Sequence, residues 1–271
     1  MFELSIAPKP SRGSVPVGSV FGEQQIAGFS RGREALSALL VHLELAGDEA
    51  VAVLTTSGSR YISGCVTETI ERHGRWTREL ESGVRIALVI HEWGFPLAGM
   101  AALAEQCADR GIVLIEDCAY ALGTYLSGRE VGRYGDYALF SLPKFFAIEA
   151  GGVLVSARGE RLPVGTNELA SLVESPAEII GRRREVWQHY LDVFGSAAYP
   201  AAEPGVPGVF LLRCAERYRD LKPYLQGQGI EAGFWYGNDY LFLPCHQQMT
   251  VADVRQIRDL IAVRVGHVEL Y

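Results

Sequence analysis

Five short runs of apolar residues, none of which alternates with polar residues, constrain the fold of this chain more than any other feature. The runs lie at residues 51–54, 86–90, 112–115, 137–140 and 153–155. Strands that are apolar on both faces are typical of a parallel or mixed sheet covered by helices on both sides. The segments between the runs fit such helices, since residues 97–110 carry apolar side chains at helical spacing. The pattern therefore predicts an α/β fold.

The strand series belongs to a predicted large domain, residues 1–158. Its first 30 residues are rich in Gly, Pro and Ser and are expected to form an extended arm. The first helix is expected from Arg33, because apolar residues recur at helical spacing as far as Leu43 and Gly47 follows. Ligands of such sheets bind beyond the carboxyl ends of the parallel strands, so polar residues at strand ends are the candidates for a site.

Residues 159–271 follow a different pattern, which predicts a smaller α+β lobe. A long helix is predicted over residues 175–194, since Ser175 and Glu178 form a capping box at its start. The other predicted elements of the lobe are a strand and two helices, at 209–213, at about 216–228 and from Thr250.

Composition narrows the class of protein. The 271 residues are 48% apolar and 21% charged, as in ordinary globular enzymes, and the net charge of −7 argues against nucleic-acid binding. The one basic run, residues 182–184, is interpreted as a solvated helix face or as a contact for a nucleotide diphosphate. Five cysteines form no CxxC pair, so neither a disulfide framework nor a metal site is expected. No apolar run reaches the roughly 18 residues of a membrane span, and the cytoplasm is the expected compartment.

An acid and an amine follow two of the apolar runs. Asp117 ends one run, and Lys144 follows the next, in an apolar segment that leads to Gly151 and Gly152. Proteins hold pyridoxal 5′-phosphate (PLP) with this pair of groups: a carboxylate keeps the pyridinium nitrogen protonated, and a lysine carries the aldehyde as a Schiff base. Burial is expected to lower the pKa of Lys144, which would make its amine a nucleophile and a proton carrier.

Both residues also have a structural interpretation. A carboxylate at the position of Asp117 can simply cap the next turn. The aliphatic part of Lys144 can pack at a lobe boundary while its ammonium group reaches water. The two interpretations differ in whether the side chains share one cleft.

Three further residues are candidates to bind the phosphate of the cofactor. Gly32 and Arg33 open the first helix, where unpaired N–H groups and a guanidinium suit a phosphate, and Ser141 ends a strand three residues before Lys144. The alternative is ordinary helix capping with a solvated arginine.

Aromatic side chains near the predicted strand ends are candidates to stack on the cofactor ring. Tyr61 is the first candidate, and Tyr120 and Trp93 compete with it, whereas core or rim packing is the alternative for all three. His91 also follows a strand and is a candidate to contact the ring or the substrate, with a satisfied structural role as its alternative.

Over residues 89–155 the chain resembles the DegT/StrS family of PLP-dependent sugar aminotransferases. The similar motifs are EDCAYALG at 116–123 for the family's E-D-x-A-[QH]-x-x-G, VGRYGD at 131–136 for V-G-x-x-G-D, and FSL at 140–142 followed by the lysine and the glycine pair. The resemblance implies the fold-type-I PLP-transferase architecture, a mostly parallel sheet sandwiched by helices with a smaller α+β C-terminal lobe.

The same resemblance implies roles for individual residues. Asp117 meets the pyridinium nitrogen, Lys144 forms the Schiff base and Ser141 contacts the phosphate. The implied activity moves an amino group from a donor such as glutamate to a keto sugar attached to a nucleotide, or to a related small ketone, in polysaccharide or natural-product biosynthesis. Enzymes of this fold type build their site across a dimer, so a homodimer is expected.

The chain also departs from the family pattern. Arg31-Gly32-Arg33 stands where the family has S-G-T, Tyr120 replaces the usual Gln or His, and Lys144 follows Ser141 by three residues where five are common. These departures, together with a shorter chain, leave open a binding or assembly subunit that has kept the fold. A pyridoxamine-dependent dehydratase is a further alternative, although dehydratases of the family have histidine in place of the lysine.

Overall fold

The computed structural model describes residues 3–10, 18–166, 175–200, 205–214 and 219–265. The strands in this part of the chain are β1 (Ile26–Phe29), β2 (Ala50–Thr55), β3 (Arg75–Thr77), β4 (Val84–Ile90), β5 (Val113–Asp117), β6 (Tyr125–Leu126), β7 (Arg129–Glu130), β8 (Tyr137–Ser141), β9 (Gly152–Ser156), β10 (Val209–Arg213), β11 (Gly233–Trp235) and β12 (Tyr240–Pro244). The helices are α1 (Gly18–Phe21), α2 (Gly32–His42), α3 (Gly64–Glu71), α4 (Met100–Asp109), α5 (Pro176–Phe194), α6 (Leu221–Gly227) and α7 (Val251–Val265).

Seven of the twelve described strands form one sheet, in the order β1-β9-β8-β5-β4-β2-β3. The five strands from β8 to β3 in this order are parallel to one another, whereas β9 lies antiparallel between β1 and β8. The parallel or mixed sheet predicted from the five apolar runs, and the mostly parallel sheet implied by the family resemblance, are therefore confirmed.

Helices cover both faces of this sheet. Val51 and Val53 of β2 pack into the core that α2 and α3 cover, whereas Ala50 and Ala52 of the same strand pack into the core under α4. All four side chains are fully buried. Burial on both faces explains why these strands show no polar alternation.

The C-terminal lobe contains a three-stranded antiparallel sheet, β10-β12-β11, with α5, α6 and α7 around it. The predicted capping box of α5 is confirmed: Glu178 N donates to Ser175 Oγ (3.3 Å) and Ser175 N donates to Glu178 Oε2 (3.0 Å). Early in α5, Ile179 packs against the large sheet, whereas Val186 and Tyr190 pack inside the lobe. This helix therefore runs from one hydrophobic core into the other.

The start of the chain differs from the predicted extended arm. Ile26–Phe29 forms β1 at the edge of the large sheet, and Phe21 is buried in the core beneath it. Its pairing partner, β9, is more than a hundred residues away in sequence, and a four-residue strand is too short for a periodic signal. Residues 11–17 of the predicted arm lie outside the described part.

Two other predictions have partial outcomes. The helix predicted from about residue 216 is observed as Leu221–Gly227, and residues 215–218 are not among those described. The boundary between residues 158 and 159 stays a prediction. Within the described segments, no helix combines the length and the apolar character that a membrane span requires.

Candidate active site

A cleft of about 870 Å³ opens at the carboxyl ends of β2, β4, β5 and β8. Its walls include all the residues that the sequence predicted for a site, namely Gly32, Arg33, Tyr61, His91, Asp117, Tyr120, Ser141 and Lys144. Asp117 and Lys144 therefore share one cleft, as their cofactor interpretation requires.

Asp117 ends β5 and is held by the turn that follows it. Its Oδ1 accepts a hydrogen bond from Ala119 N (3.0 Å), which is the capping contact of the structural interpretation. Its second carboxylate oxygen accepts no hydrogen bond from the described residues. Burial raises the pKa of Asp117, against the opposing effects of the Ala119 hydrogen bond and of the charges on His91 and Lys144. One oxygen thus caps the turn while the other is available to a ligand.

Glu116, the neighbour of Asp117, is fully buried and contacts His91, which lines the cleft. It accepts hydrogen bonds from His91 Nε2 (3.1 Å) and from the backbone N–H groups of Gly132 (2.9 Å), Tyr134 (2.7 Å) and Gly135 (2.8 Å). Burial favours the neutral acid, but His91 and the backbone donors outweigh it, so the pKa of Glu116 is lowered. Sequence reasoning missed the role of Glu116, although an acid inside the apolar run VLIED was a signal for it.

His91 uses both ring nitrogens within the protein. Nε2 contacts Glu116, and Nδ1 accepts from Leu97 N (3.1 Å). The predicted contact of His91 with the cofactor ring or the substrate stays a prediction: the imidazole lines the cleft, and both of its nitrogens make hydrogen bonds within the protein.

His91, Glu116 and Cys118 lie close enough together to suggest a metal site. The groups do not suit one, because Glu116 already accepts from three backbone donors. Burial and the charge of Glu116 also raise the pKa of Cys118 well above its ordinary value, so the thiol keeps its proton.

Lys144 ends a short 3-10 turn, Leu142–Lys144, directly after β8. Its Nζ lies 4.9 Å from the centroid of the Tyr120 ring. Burial by itself lowers the pKa of Lys144, but the charge and hydrogen bonding of Tyr120, with further effects of Glu231 and Cys65, raise it above its ordinary value. The lowered pKa predicted from sequence is therefore wrong, because the prediction counted burial and omitted a tertiary contact. Lys144 is an ammonium group at neutral pH and must lose a proton before it reacts.

Tyr120 belongs to a row of aromatic rings that leads from Lys144 to the C-terminal lobe. Its ring centroid is 5.1 Å from that of Trp93, which in turn is 4.8 Å from that of Phe242 on β12. A Cβ atom on Gly208 would lie 2.4 Å from Tyr120 Cδ1, so only glycine leaves room for the tyrosine ring. The residue that replaces the family's Gln or His is thus packed firmly beside the lysine.

The N-terminus of α2 lies next to the end of β8. A Cβ atom on Gly32 would be 3.9 Å from Ser141 Cβ, and one on Gly152 would be 2.4 Å from the Arg31 carbonyl oxygen. The close approach of the Arg31 backbone explains why residue 152 is a glycine, and it brings the first turn of α2 against Ser141. Backbone N–H groups, a hydroxyl and the Arg33 guanidinium are thereby available to one anion.

Tyr61 lies at the rim of the cleft. Its side chain is 62% exposed, and its ring centroid is 5.5 Å from that of Tyr236 in the C-terminal lobe. Trp93 and Tyr120 are less exposed, so the choice of the stacking residue stays a prediction.

The basic run on α5 is not one solvated face. Arg182 and Arg184 are exposed, but Arg183 is fully buried. Arg183 Nη2 donates to Lys144 O (2.5 Å) and Nη1 to Pro207 O (3.2 Å). Its spacing from the buried Ile179 and Val186 was the signal that sequence reasoning missed, since all three fall on one face of the helix.

Comparisons of the sequence show which known proteins the segment around Asp117 and Lys144 resembles. Residues 78–162 match the DegT/DnrJ/EryC1/StrS aminotransferase family. The GDP-perosamine synthase of Vibrio cholerae is 33% identical over 81 residues, which cover 29% of this chain and 22% of that protein. A UDP-N-acetyl-3-dehydro-alpha-D-glucosamine 3-aminotransferase of Acidithiobacillus ferrooxidans is 28% identical over 163 residues, which cover 53% of this chain and 43% of that protein. The matches thus span less than half the length of these curated relatives.

Comparisons of structure extend over more of the chain. A DegT DnrJ EryC1 StrS aminotransferase from Brucella abortus has a TM-score of 0.72 at 14% identity, over 92% of this chain and 88% of that one. S. venezuelae DesV has a TM-score of 0.69 at 18% identity, over 93% and 88%. These similarities confirm the predicted fold. Residues 78–162, the segment that carries Asp117, Ser141 and Lys144, are thus the part of the chain that matches the DegT/DnrJ/EryC1/StrS aminotransferase family.

Proposed function

We propose that this protein is a PLP-dependent aminotransferase that acts on a nucleotide-linked keto sugar or a related small ketone. The observation that carries the proposal is the single cleft shared by Asp117 and Lys144. The names of the relatives support the substrate class, because they describe enzymes that make amino sugars. A homodimer and a cytoplasmic location are parts of the same proposal and rest on the family resemblance.

The residues of the cleft fit PLP. Asp117 has a carboxylate oxygen available for the ring nitrogen, Lys144 has an amine for the aldehyde, and the start of α2 with Ser141 and Arg33 suits the phosphate. When bound, PLP supplies an electron-withdrawing ring that stabilises negative charge at the α-carbon of an amino acid.

Asp117, Lys144 and Tyr120 have separate roles in the proposed reaction. The carboxylate of Asp117 stabilises positive charge at the ring nitrogen, which preserves the electron-withdrawing character of the ring. Lys144 would hold the aldehyde carbon of PLP, and once the amine of the donor has taken its place, the freed Nζ would accept the proton of the donor's α-carbon. Tyr120 holds Nζ of Lys144 inside the cleft between these events.

Borohydride labelling tests the proposal. PLP followed by borohydride should fix a label on Lys144, identified by peptide mass spectrometry, and Lys144→Ala should carry no label. Glutamate should then convert the bound cofactor to its amine form, seen as a change in visible absorbance. If PLP is fixed on no lysine of the folded protein, the proposal fails and the binding or assembly subunit replaces it.

Asp117→Asn separates cofactor binding from amino transfer. The variant should still be labelled on Lys144, because the aldehyde contact is unchanged. Amino transfer from glutamate should slow at least a hundredfold, about 2.7 kcal/mol of barrier, because the amide cannot stabilise charge on the ring nitrogen. An Asn variant that turns over at the wild-type rate would remove Asp117 from the proposed mechanism.

A further inference from the structure

Side chains of the C-terminal lobe hold the carbonyl groups of Lys144 and of the residue that follows it, Phe145. Arg183 Nη2 donates to Lys144 O (2.5 Å), and Gln247 Nε2 donates to Phe145 O (2.6 Å). Arg183 Nε also donates to Gln247 Oε1 (3.2 Å), so the two side chains hold each other. Two consecutive carbonyl groups are therefore fixed by one arginine and one glutamine, neither of which belongs to the large sheet.

Burial and packing make this arrangement stiff. Arg183 is fully buried, Gln247 is 2% exposed, and the guanidinium carbon lies 4.6 Å from the centroid of the Phe145 ring. Burying a guanidinium costs free energy that an apolar side chain of similar size would not require. The hydrogen bonds to the Lys144 segment offset that cost, which explains why an arginine is found at this buried position.

The contacts restrict where the lysine can reach. A lysine side chain has four rotatable bonds, so its amine explores a large volume unless the backbone beneath it is fixed. Residue 144 lies in a 3-10 turn outside the sheet ladder, and strand pairing does not hold it. Hydrogen bonds from Phe145 N and Phe146 N to Leu142 O close the turn locally. The hydrogen bonds from α5 and from the segment after β12 fix the turn to the C-terminal lobe.

We propose that Arg183 and Gln247 are positioning residues for Lys144, which keep its amine beside Tyr120 in the cleft and make its reactivity depend on the C-terminal lobe. The inference rests on the proposed function only in treating Lys144 as the reactive lysine. Neither residue touches the cleft itself, so their effect is on the lysine backbone.

Acylation of the cofactor-free protein tests the inference directly. Acetic anhydride at pH 8, with peptide mass spectrometry, measures the modification of Lys144 relative to Lys222 as an internal reference. Arg183→Met and Gln247→Glu should each raise the acylation of Lys144 at least threefold, because its amine gains access to solvent and leaves Tyr120. Arg182→Met and Gln248→Glu, at exposed neighbouring positions, should leave the ratio unchanged.

Folding is checked by circular dichroism and thermal unfolding of each variant. Gln247→Glu keeps an acceptor for Arg183 Nε and removes the donor to Phe145 O, so this variant provides the test if Arg183→Met does not fold. Equal acylation of Lys144 in a folded Gln247→Glu variant and in its Gln248→Glu control would overturn the inference.

The proposed function fails by a different result. If the wild-type protein fixes no PLP on Lys144 while the acylation ratios still respond to Arg183 and Gln247, the positioning contacts stand and the aminotransferase proposal does not.

Discussion

The two ends of the cleft are built by different parts of the molecule. At the acid end, Asp117 is the last residue of β5, and Glu116 in the same strand accepts hydrogen bonds from His91 and from the loop at 132–135. At the amine end, Lys144 lies beyond the end of its strand and is held by Arg183 and Gln247. The sheet fixes the acid, whereas the second lobe fixes the lysine.

Asp117 and Lys144 are therefore expected to respond to different perturbations. A change in the buried network around Glu116 should affect the stability of the large sheet. A change in the lobe should affect the lysine first, because its backbone depends on side chains contributed from α5 and from the segment after β12.

The largest expected effect is at the acid end. Glu116→Ala removes the acceptor of three backbone N–H groups and of His91, and it should lower the free energy of unfolding by about 4 kcal/mol. Denaturant titration followed by circular dichroism measures the loss. Glu105→Ala, at an exposed position on α4, should change stability by less than about 0.5 kcal/mol. A Glu116→Ala protein as stable as this control would show that the network does not support the sheet.

The second expected effect is at the amine end and depends on pH. Burial and the charge of Arg183 lower the pKa of His246 from 6.5 to about 4. Because the folded state disfavours the protonated imidazole, the stabilisation is complete above pH 6.5 and is lost as the pH falls toward 4. Its full size is about 3 kcal/mol, at about 1.4 kcal/mol for each pKa unit.

Comparison with His246→Asn isolates this contribution from the carboxylates that titrate in the same range. The amide can still accept from Gln248 N, as Nδ1 of His246 does in the wild type (3.2 Å). The difference in unfolding free energy between wild type and variant should shrink between pH 6.5 and pH 4. A difference that is constant over this range would contradict the assignment.

The smallest expected effect concerns the lysine alone. Tyr120→Phe keeps the ring and its contact with Trp93 but removes the hydroxyl, so the pKa of Lys144 should fall toward its ordinary value. The pH dependence of Lys144 acylation measures the shift, and Tyr125→Phe, at an exposed position, is the control. An unchanged pH dependence would assign the raised pKa to the other neighbours of Lys144.

The acid end was largely predictable from sequence. The five apolar runs predicted the strands because burial on both faces leaves a strand without polar residues, and Asp117 stands at the end of one of them. The motif at 131–136 was recognised by resemblance, but its physical purpose, to satisfy Glu116, became visible only when the loop was seen against β5.

The amine end was less predictable, because it depends on contacts between distant segments. A run of three arginines reads as one exposed face, and only tertiary packing shows that the middle one is buried. The pKa of Lys144 depends on Tyr120, and the strands β6, β7 and β8 lie between the two residues in sequence. The edge strand β1 was missed for the same reason, since its partner is β9.

The helix that enters both hydrophobic cores has a consequence for protein engineering. A minimal version of the cleft, cut from the large sheet and ending before Pro176, would retain the acid and its carboxylate network but would lose the arginine that secures the amine. Any transplant of this chemistry onto a smaller scaffold must therefore carry a substitute for α5 along with the strands.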